Sequence, residues 1–352
     1  MKQLPSNIAT TGFFDLLMRG RIKRLNPNTT FEDAPNTTKP FKEHYKTFVF
    51  PHVTEFEANR FKALETFRDR CITVLPFAAV AFMLSILIFS LYHLNSNQTQ
   101  ALIFVLGIIA AAAFAWLYYP IKQYNASVKQ IIFPQIFSFF GNDFKYEAIC
   151  PVTISSLQSS SIIPSHNKTS TEDYVRGRFK DVSIELFEAL LQEESGSGKN
   201  RKVVTKFKGV FIMLSMNKNF SGKTIVRQDR GTIANFFSNE SSGLKKVKLE
   251  DPVFEKDFDV FGDDQVQARY LLTTTFMERL LKLKKYSGGS SIECSFYDNK
   301  LLLKISSNKN RFEPSSIYEP ATFIEDIKTI LGEMEAIFEI VDILKLDQKT
   351  GL

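Results

Sequence analysis

Apolar positions fall into three patterns along the chain. Two runs, "ITVLPFAAVAFMLSILIFSLY" (Ile72 to Tyr92) and "ALIFVLGIIAAAAFAWLYY" (Ala101 to Tyr119), contain no charged residue. Each holds about 20 residues, which at 1.5 Å per residue covers the roughly 30 Å hydrocarbon core of a bilayer. Only the short polar stretch "HLNSNQTQ" separates them, so residues 72–119 are predicted to form an antiparallel transmembrane hairpin. Small residues at helical spacing, Gly107, Ala111 and Ala115 on one helix and Ala81 and Ser85 on the other, suggest close packing of the pair.

A helical pattern flanks the hairpin. Phe56, Phe61, Leu64 and Phe67 predict a juxtamembrane helix over 54–71 that runs into the first span. Ile121, Tyr124, Val128, Ile131 and Ile132 predict another over 120–140, bent or ended near Pro134. Residues 1–53 read as a mobile basic segment, and the Ser-rich 141–172 as a linker.

From residue 173 to 346 the pattern becomes strand-like. Val182, Ile184 and Leu186, and again Val210, Ile212 and Leu214, alternate as strands with one buried face do. "SGSGKN" reads as a hairpin loop between long strands, and Asp298–Asn299 as the turn of a second hairpin. No crossover helix fits between the strands, so the sheet is predicted to be antiparallel. "DDQVQARYLLTTTFMERLLKLKK" places Val266, Tyr270, Met277, Leu280 and Leu281 on one face of a helix that Asp263 or Asp264 would cap. Phe323, Ile327, Ile330, Met334, Ile337, Val341 and Leu344 predict a long C-terminal helix that covers the sheet or forms a dimer seam. The expected fold is therefore α+β: a two-helix transmembrane hairpin, then a cytosolic antiparallel β domain with a helix before its last hairpin and a long C-terminal helix.

Charge orients the hairpin. Arg60, Lys62, Arg68 and Arg70 precede the first span, Lys122 and Lys129 follow the second, and the turn has no basic residue. By the positive-inside rule both termini face the cytoplasm. Arg68, Arg70 and Lys122, with Tyr92, Trp116, Tyr118 and Tyr119, are the expected membrane-interface anchors. The basic cluster Arg19 to Arg24 is expected to meet anionic headgroups. The net charge of +6, from 44 basic against 38 acidic residues, is too small an excess to call for nucleic acid.

The candidate chemistry is sparse. Cys71, Cys150 and Cys294 are too far apart in sequence for zinc-ligand spacing and are expected to be reduced. "NKNFSGKT" ends like a phosphate-binding loop, but Asn217 stands where its first glycine belongs and a β-branched run follows Lys223. The acidic stretch at Asp263 lacks the ligand spacing of a calcium loop. No catalytic, cofactor or metal residue is expected. An enzyme would have to draw on Glu172 and Asp173, or on Asp263 with Arg269.

The blocks "EDYVRGRFKDVSIELFEALL", "FKGVFIMLSMNKNFSGKTIV", "VKLEDPVFEKDFDVFGDDQVQARYLLTTTFMERLLKL" and "DNKLLLKISSNKNRFEP" resemble successive parts of the family named domain of unknown function 3137, over Glu172 to Pro314. The resemblance implies a multi-pass protein of the bacterial inner membrane with a cytosolic α+β domain, and it implies no reaction. The expected role is a non-enzymatic membrane-anchored adaptor or scaffold, held in membrane lipid, whose cytosolic domain binds a protein partner or lipid headgroups. A membrane-bound enzyme and a homo-oligomeric assembly component are the alternatives.

Overall fold

A computed structural model describes residues 7–26, 28–33, 39–92, 96–215, 220–228, 243–286, 291–308 and 310–344. The chain divides into two compact units, residues 1–136 with 313–327 and residues 137–312 with 328–352.

The first unit is helical. Helix α1 (Asn7–Arg19) ends where Gly20, at φ +62°, turns the backbone left-handed. The N–H of Gly20 then reaches the Leu16 carbonyl at 3.0 Å, and that of Arg21 reaches Asp15 at 3.2 Å, which satisfies carbonyls at the helix end. The short α2 (Lys42–His44) and a π-helical turn, Tyr45–Val49, lead into α3 (Phe50–Tyr92). At 1.5 Å per residue α3 is about 65 Å long, which is more than twice a bilayer core. Helix α4 (Ser96–Ser127) passes through Pro120 and gives way to a π-helical turn, Val128–Ile132, and then to α5 (Phe133–Phe137).

The helix predicted to begin at 54 thus starts earlier, and residues 1–53, read as mobile, contain α1, α2 and the entry to α3. The reason is burial: Leu16, Phe31, Phe41, Tyr45 and Val49 are all buried, and the aromatic rings of Phe31 and Phe41 meet edge to face at 5.3 Å. The stripe of Gly107, Ala111 and Ala115 is exposed, and a Cβ added at Gly107 would meet nothing within 4 Å. That stripe therefore does not form the contact between α3 and α4.

The second unit is a sheet of nine antiparallel strands in the order β1-β2-β3-β4-β9-β8-β5-β7-β6. Its strands are β1 (Lys145–Ile149), β2 (Lys168–Phe179), β3 (Val182–Ser195), β4 (Lys202–Ser215), β5 (Thr224–Gln228), β6 (Lys245–Lys246), β7 (Phe258–Gly262), β8 (Ile292–Tyr297) and β9 (Lys300–Ser306). Asp298 and Asn299, at φ +49° and +57°, make the two-residue β8–β9 turn anticipated from sequence. Lys180 and Asp181 do the same between β2 and β3. Neither residue is the glycine or asparagine that usually marks such a turn.

The linker reading of 141–172 is corrected. That segment supplies β1, the start of β2 and a 3-10 helix, Ile154–Ser160. Ile154, Leu157 and Ile162 join Phe187, Leu191, Phe207 and Phe211 in one apolar cluster. Its polar atoms are equally engaged: Ser295 Oγ donates to the Ser160 carbonyl at 2.7 Å, Arg227 to that of Ser161 at 2.6 Å and Lys304 to that of Ile162 at 3.0 Å. The segment covers the sheet, and central strands are therefore buried on both faces rather than one: Ile184 and Leu186 are buried, and so are Phe187 and Ala189.

Between α6 (Pro252–Glu255) and β8 the single helix expected is two, α7 (Gln265–Leu271) and α8 (Thr274–Tyr286). The break falls at Leu272, and Thr273 Oγ accepts the Phe276 N–H at 3.2 Å as a fresh cap. Val266, placed on the buried face by periodicity, is 76% exposed. Helix α9 (Ile324–Leu344) does bury Ile327, Ile330, Met334, Ile337 and Val341. The Leu344 side chain lies outside the described residues. Within the second unit Phe338 of α9 stacks on Phe179 of β2, with ring centroids 4.3 Å apart.

Candidate functional site

The membrane-facing surface is built from exposed carbon. Along α3, Leu75, Phe77, Val80, Phe82 and Met83 are each more than half exposed, and along α4 so are Ile103, Phe104, Ile108 and Phe114. Helices this apolar would be buried in a core if they belonged to one. Here the apolar window of α3 is 6% buried and that of α4 is 0% buried. Both helices are long and apolar enough to cross a membrane.

At one end of the pair Arg70 ties α3 to α4. Its guanidinium lies over the Trp116 ring, 4.5 Å from the centroid, and donates to the Trp116 carbonyl. Tyr118 stacks on Phe114, and Tyr119 accepts a hydrogen bond from Gln123 at 2.7 Å. Lys122 is exposed and Arg68 half-buried. The side chain of Tyr92, expected to anchor the far end, lies outside the described residues.

Just beyond Arg68, within the first unit, is a cavity of about 870 Å³. Its walls come from α1, the extended Gly20–Arg24, the stretch of α3 around Phe61 and Leu64, and Ser316 to Glu319. A buried ion pair on α3 holds two of them, the stretch ending at Arg24 and the one around Ile317. Arg60 is 0% exposed. It donates to Glu57 from two nitrogens at 2.9 and 2.8 Å, to the Ile317 carbonyl at 3.0 Å and to the Lys23 carbonyl at 2.5 Å. Glu57 in turn accepts the backbone N–H groups of Leu25 at 3.1 Å and Ala321 at 2.9 Å. Burial alone would raise the Glu57 carboxyl, but the Arg60 and backbone donors overcome it and hold it below the usual carboxylate value. Arg60 therefore fastens two distant stretches of chain to α3 and does not serve as a headgroup contact.

The cavity's floor is set by close approach. Gly12 faces Tyr318, where an added Cβ would sit 2.9 Å from the side chain. Among the charges in and beside the walls, Lys23 pairs with Glu319 and Arg19 with Asp15. Arg21 and Arg24 are exposed. Arg68 comes close to the Gly20 backbone, and its Nε is buried without a hydrogen-bond partner among the described residues.

A second cluster lies in the sheet. Glu172, Asp173 and Glu188 bring carboxylate oxygens within 4.8 Å of one another. A bulge in β2 between Glu172 and Val175, with Asp173 at φ +55°, creates the arrangement. Each of the two buried acids has a partner in the fold: Asp173 accepts the Tyr146 hydroxyl at 2.5 Å, and Glu188 accepts the N–H groups of Arg311 at 2.5 Å and Phe312 at 3.3 Å. Burial, opposed by those N–H donors and reinforced by Asp173, pushes the Glu188 carboxyl from 4.5 up to about 7. The folded state thus keeps a proton that the unfolded chain releases, so stability falls as pH rises through that window. Glu188→Gln retains an acceptor for both N–H groups. We expect it to match the parent at about pH 4 and to melt higher at pH 8, with the slope of stability between about pH 4.5 and 7 reduced by up to about 1.4 kcal/mol per pH unit. Melting at the two pH values checks this; equal pH slopes would refute it.

Asp264 caps α7, accepting the Val266 N–H at 2.7 Å and that of Gln267 at 3.1 Å. Asp263 instead holds the Lys223 N–H with both carboxylate oxygens, at 2.9 and 2.8 Å, beside Gly222 at φ +77°. Strand β5 begins directly after Lys223 where a phosphate-binding loop needs a helix. Cys71, Cys150 and Cys294 carry free thiols. Residues 216–219 of the loop-like motif lie outside the described residues.

These features define a class: an α+β protein with two helices fit to cross a membrane and a nine-stranded antiparallel sheet. A family model described as protein of unknown function (DUF3137) matches residues 205–346. The crystal structure of the mycobacterial trehalose monomycolate transport factor A, TtfA, is similar at 11% identity over 57% of this chain and 88% of that one, with a TM-score of 0.31. No curated protein matches the chain.

Proposed function

We propose that the protein is a non-enzymatic membrane-anchored adaptor or scaffold whose folded, non-membrane part engages a protein partner or lipid headgroups. The observation that carries this reading is the exposed apolar surface of α3 and α4 on helices that continue into a folded unit. Apolar area of that extent in water is a liability, and in lipid it is an anchor. Arg68, Arg70, Trp116, Tyr118, Tyr119 and Lys122 cluster near one end of the spans, as interface anchors do. The positive-inside rule then assigns both termini and the sheet to the cytoplasmic side of an inner membrane.

Crosslinking in native membranes followed by mass spectrometry tests the reading. The expected result is a reproducible partner joined to the sheet unit, with the protein resisting carbonate extraction. Release by carbonate, or membrane retention with neither a specific partner nor binding to anionic vesicles, would overturn it.

A further inference from the structure

We infer that the cavity beside Arg68 is a receptor for the phosphate of an anionic lipid headgroup, with α1 lying in the membrane interface as one of its walls. The inference rests on the membrane anchoring proposed above and adds the ligand, its site and its contacts.

Position comes first. Arg68 precedes the charge-free run at Ile72 by about 6 Å of helix, and Leu64 by about 12 Å. The polar zone of a bilayer is on the order of 7 Å thick on each side of its core. Arg68, which packs against Gly20 of the cavity wall, is therefore level with lipid phosphates, and the lining residues Glu65 and Leu64 lie further toward water. Helix α1 is held at the same level, because Phe13 contacts the Phe67 ring at a centroid distance of 6.0 Å. Two of its large apolar side chains, one turn apart, are exposed among the described residues: Phe14 is 58% exposed and Met18 is 65% exposed. A short helix with exposed apolar residues on one side, followed at once by Arg19, Arg21, Lys23 and Arg24, has the make-up of one that lies in an interface.

Charge selects the ligand. Lys23 and Arg19 pair with Glu319 and Asp15, which leaves Arg21 and Arg24 in the lining, with Arg68 behind Gly20, against Glu65. Guanidinium groups meet phosphate oxygens in paired hydrogen bonds. A zwitterionic headgroup offers a phosphate too, but its ammonium would be repelled by the remaining arginines. An anionic phospholipid fits both features.

The full chain, purified in mild detergent, can be incubated with phosphatidylglycerol or phosphatidylcholine and examined by native mass spectrometry. One phosphatidylglycerol should be retained preferentially. The variant Arg21→Gln/Arg24→Gln/Arg68→Gln should lose its occupancy by about tenfold or more, while Arg176→Gln/Arg178→Gln/Lys206→Gln, neutralised on the sheet, should keep it. Equal loss in both variants, or equal retention of phosphatidylcholine, would overturn the site. Displacement by millimolar inorganic phosphate would mean a site for a soluble phosphate, and displacement by a phosphopeptide a protein site; either sinks the lipid assignment.

A second readout does not depend on that variant folding. With Trp116 replaced by Phe, a reporter introduced by Met18→Trp should be quenched by lipids brominated near the headgroup end of the acyl chain in nanodiscs. An unquenched signal would remove α1 from the interface. Carbonate extraction of the same samples separates the outcomes, since a chain that stays in the membrane but fails these tests refutes only the lipid site.

Discussion

Replacing Arg60 with methionine should cost about 3–5 kcal/mol, the usual penalty for leaving one member of a buried ion pair alone. At roughly 2–4 °C per kcal/mol, the thermal midpoint of the first unit should fall by about 10 °C. The size follows from what the side chain holds. One guanidinium with 0% exposure satisfies a carboxylate and two main-chain carbonyls, those of Lys23 and Ile317, that are far apart in sequence. Methionine fills much of the volume but offers no donor, so the Glu57 charge stays buried with only the Leu25 and Ala321 N–H groups to satisfy it. Arg60→Lys should fall between the two, because a single ammonium cannot reach in three directions at once. Adding Glu57→Gln to Arg60→Met should recover part of the loss by removing the stranded charge. Differential scanning calorimetry of the full chain in detergent reads all four proteins, and an Arg60→Met protein melting within 2 °C of the parent would show that the ion pair does not hold these walls.

That network also shows where sequence stops informing. The two long apolar helices are plain from the sequence because about 20 uncharged residues in a row is a local signal. The β8–β9 turn at Asp298–Asn299 and the alternation of Ile184 and Leu186 are local as well. Arg60 and Glu57, by contrast, look like ordinary charges on a helix, three residues apart. Their burial depends on residues 23–25 and 317–321 arriving from both ends of the chain, and nothing in a window of the sequence records that. The cavity is illegible for the same reason, since its walls come from α1, α3 and the stretch ahead of α9.

Composition misled in a different way at 141–172. Serines there suggest a loop, yet Ser160 and Ser161 serve the sheet through their main-chain carbonyls, while Ile154, Leu157 and Ile162 supply the burial. The break between α7 and α8 had a visible signal in the three threonines at 273–275, whose hydroxyls compete for helix N–H groups. The Glu188 cluster had half a signal. Glu172 and Asp173 were adjacent in sequence, but only the β2 bulge and the pairing of Glu172 with Glu188 bring the third carboxylate in.

Gly209→Ala should be as damaging to the sheet as the loss of Arg60 is to the helical unit. Gly209 sits in β4, opposite Ala189 on β3 and Ser306 on β9, at a φ of +155°. A Cβ there would lie 2.1 Å from the Ile305 carbonyl oxygen and 2.9 Å from both Ser306 Cα and Ser307 N. All three obstacles are backbone, so no rotamer change relieves them. The strand β9 must move away, and with it the β4–β9 register from Gly209–Ser306 to Ser215–Lys300 on which the centre of the sheet depends. Strain at the unfavourable φ and forced repacking each cost about 1–3 kcal/mol, so a combined loss of about 3–5 kcal/mol is expected. Hydrogen exchange locates the damage. Amides of β4 and β9 should exchange at least tenfold faster in the variant, while those pairing β2 with β3 change less. Protection in β9 equal to that of the parent would mean that β4 accepts a side chain at 209 and that the close approach to Ile305 does not constrain this position.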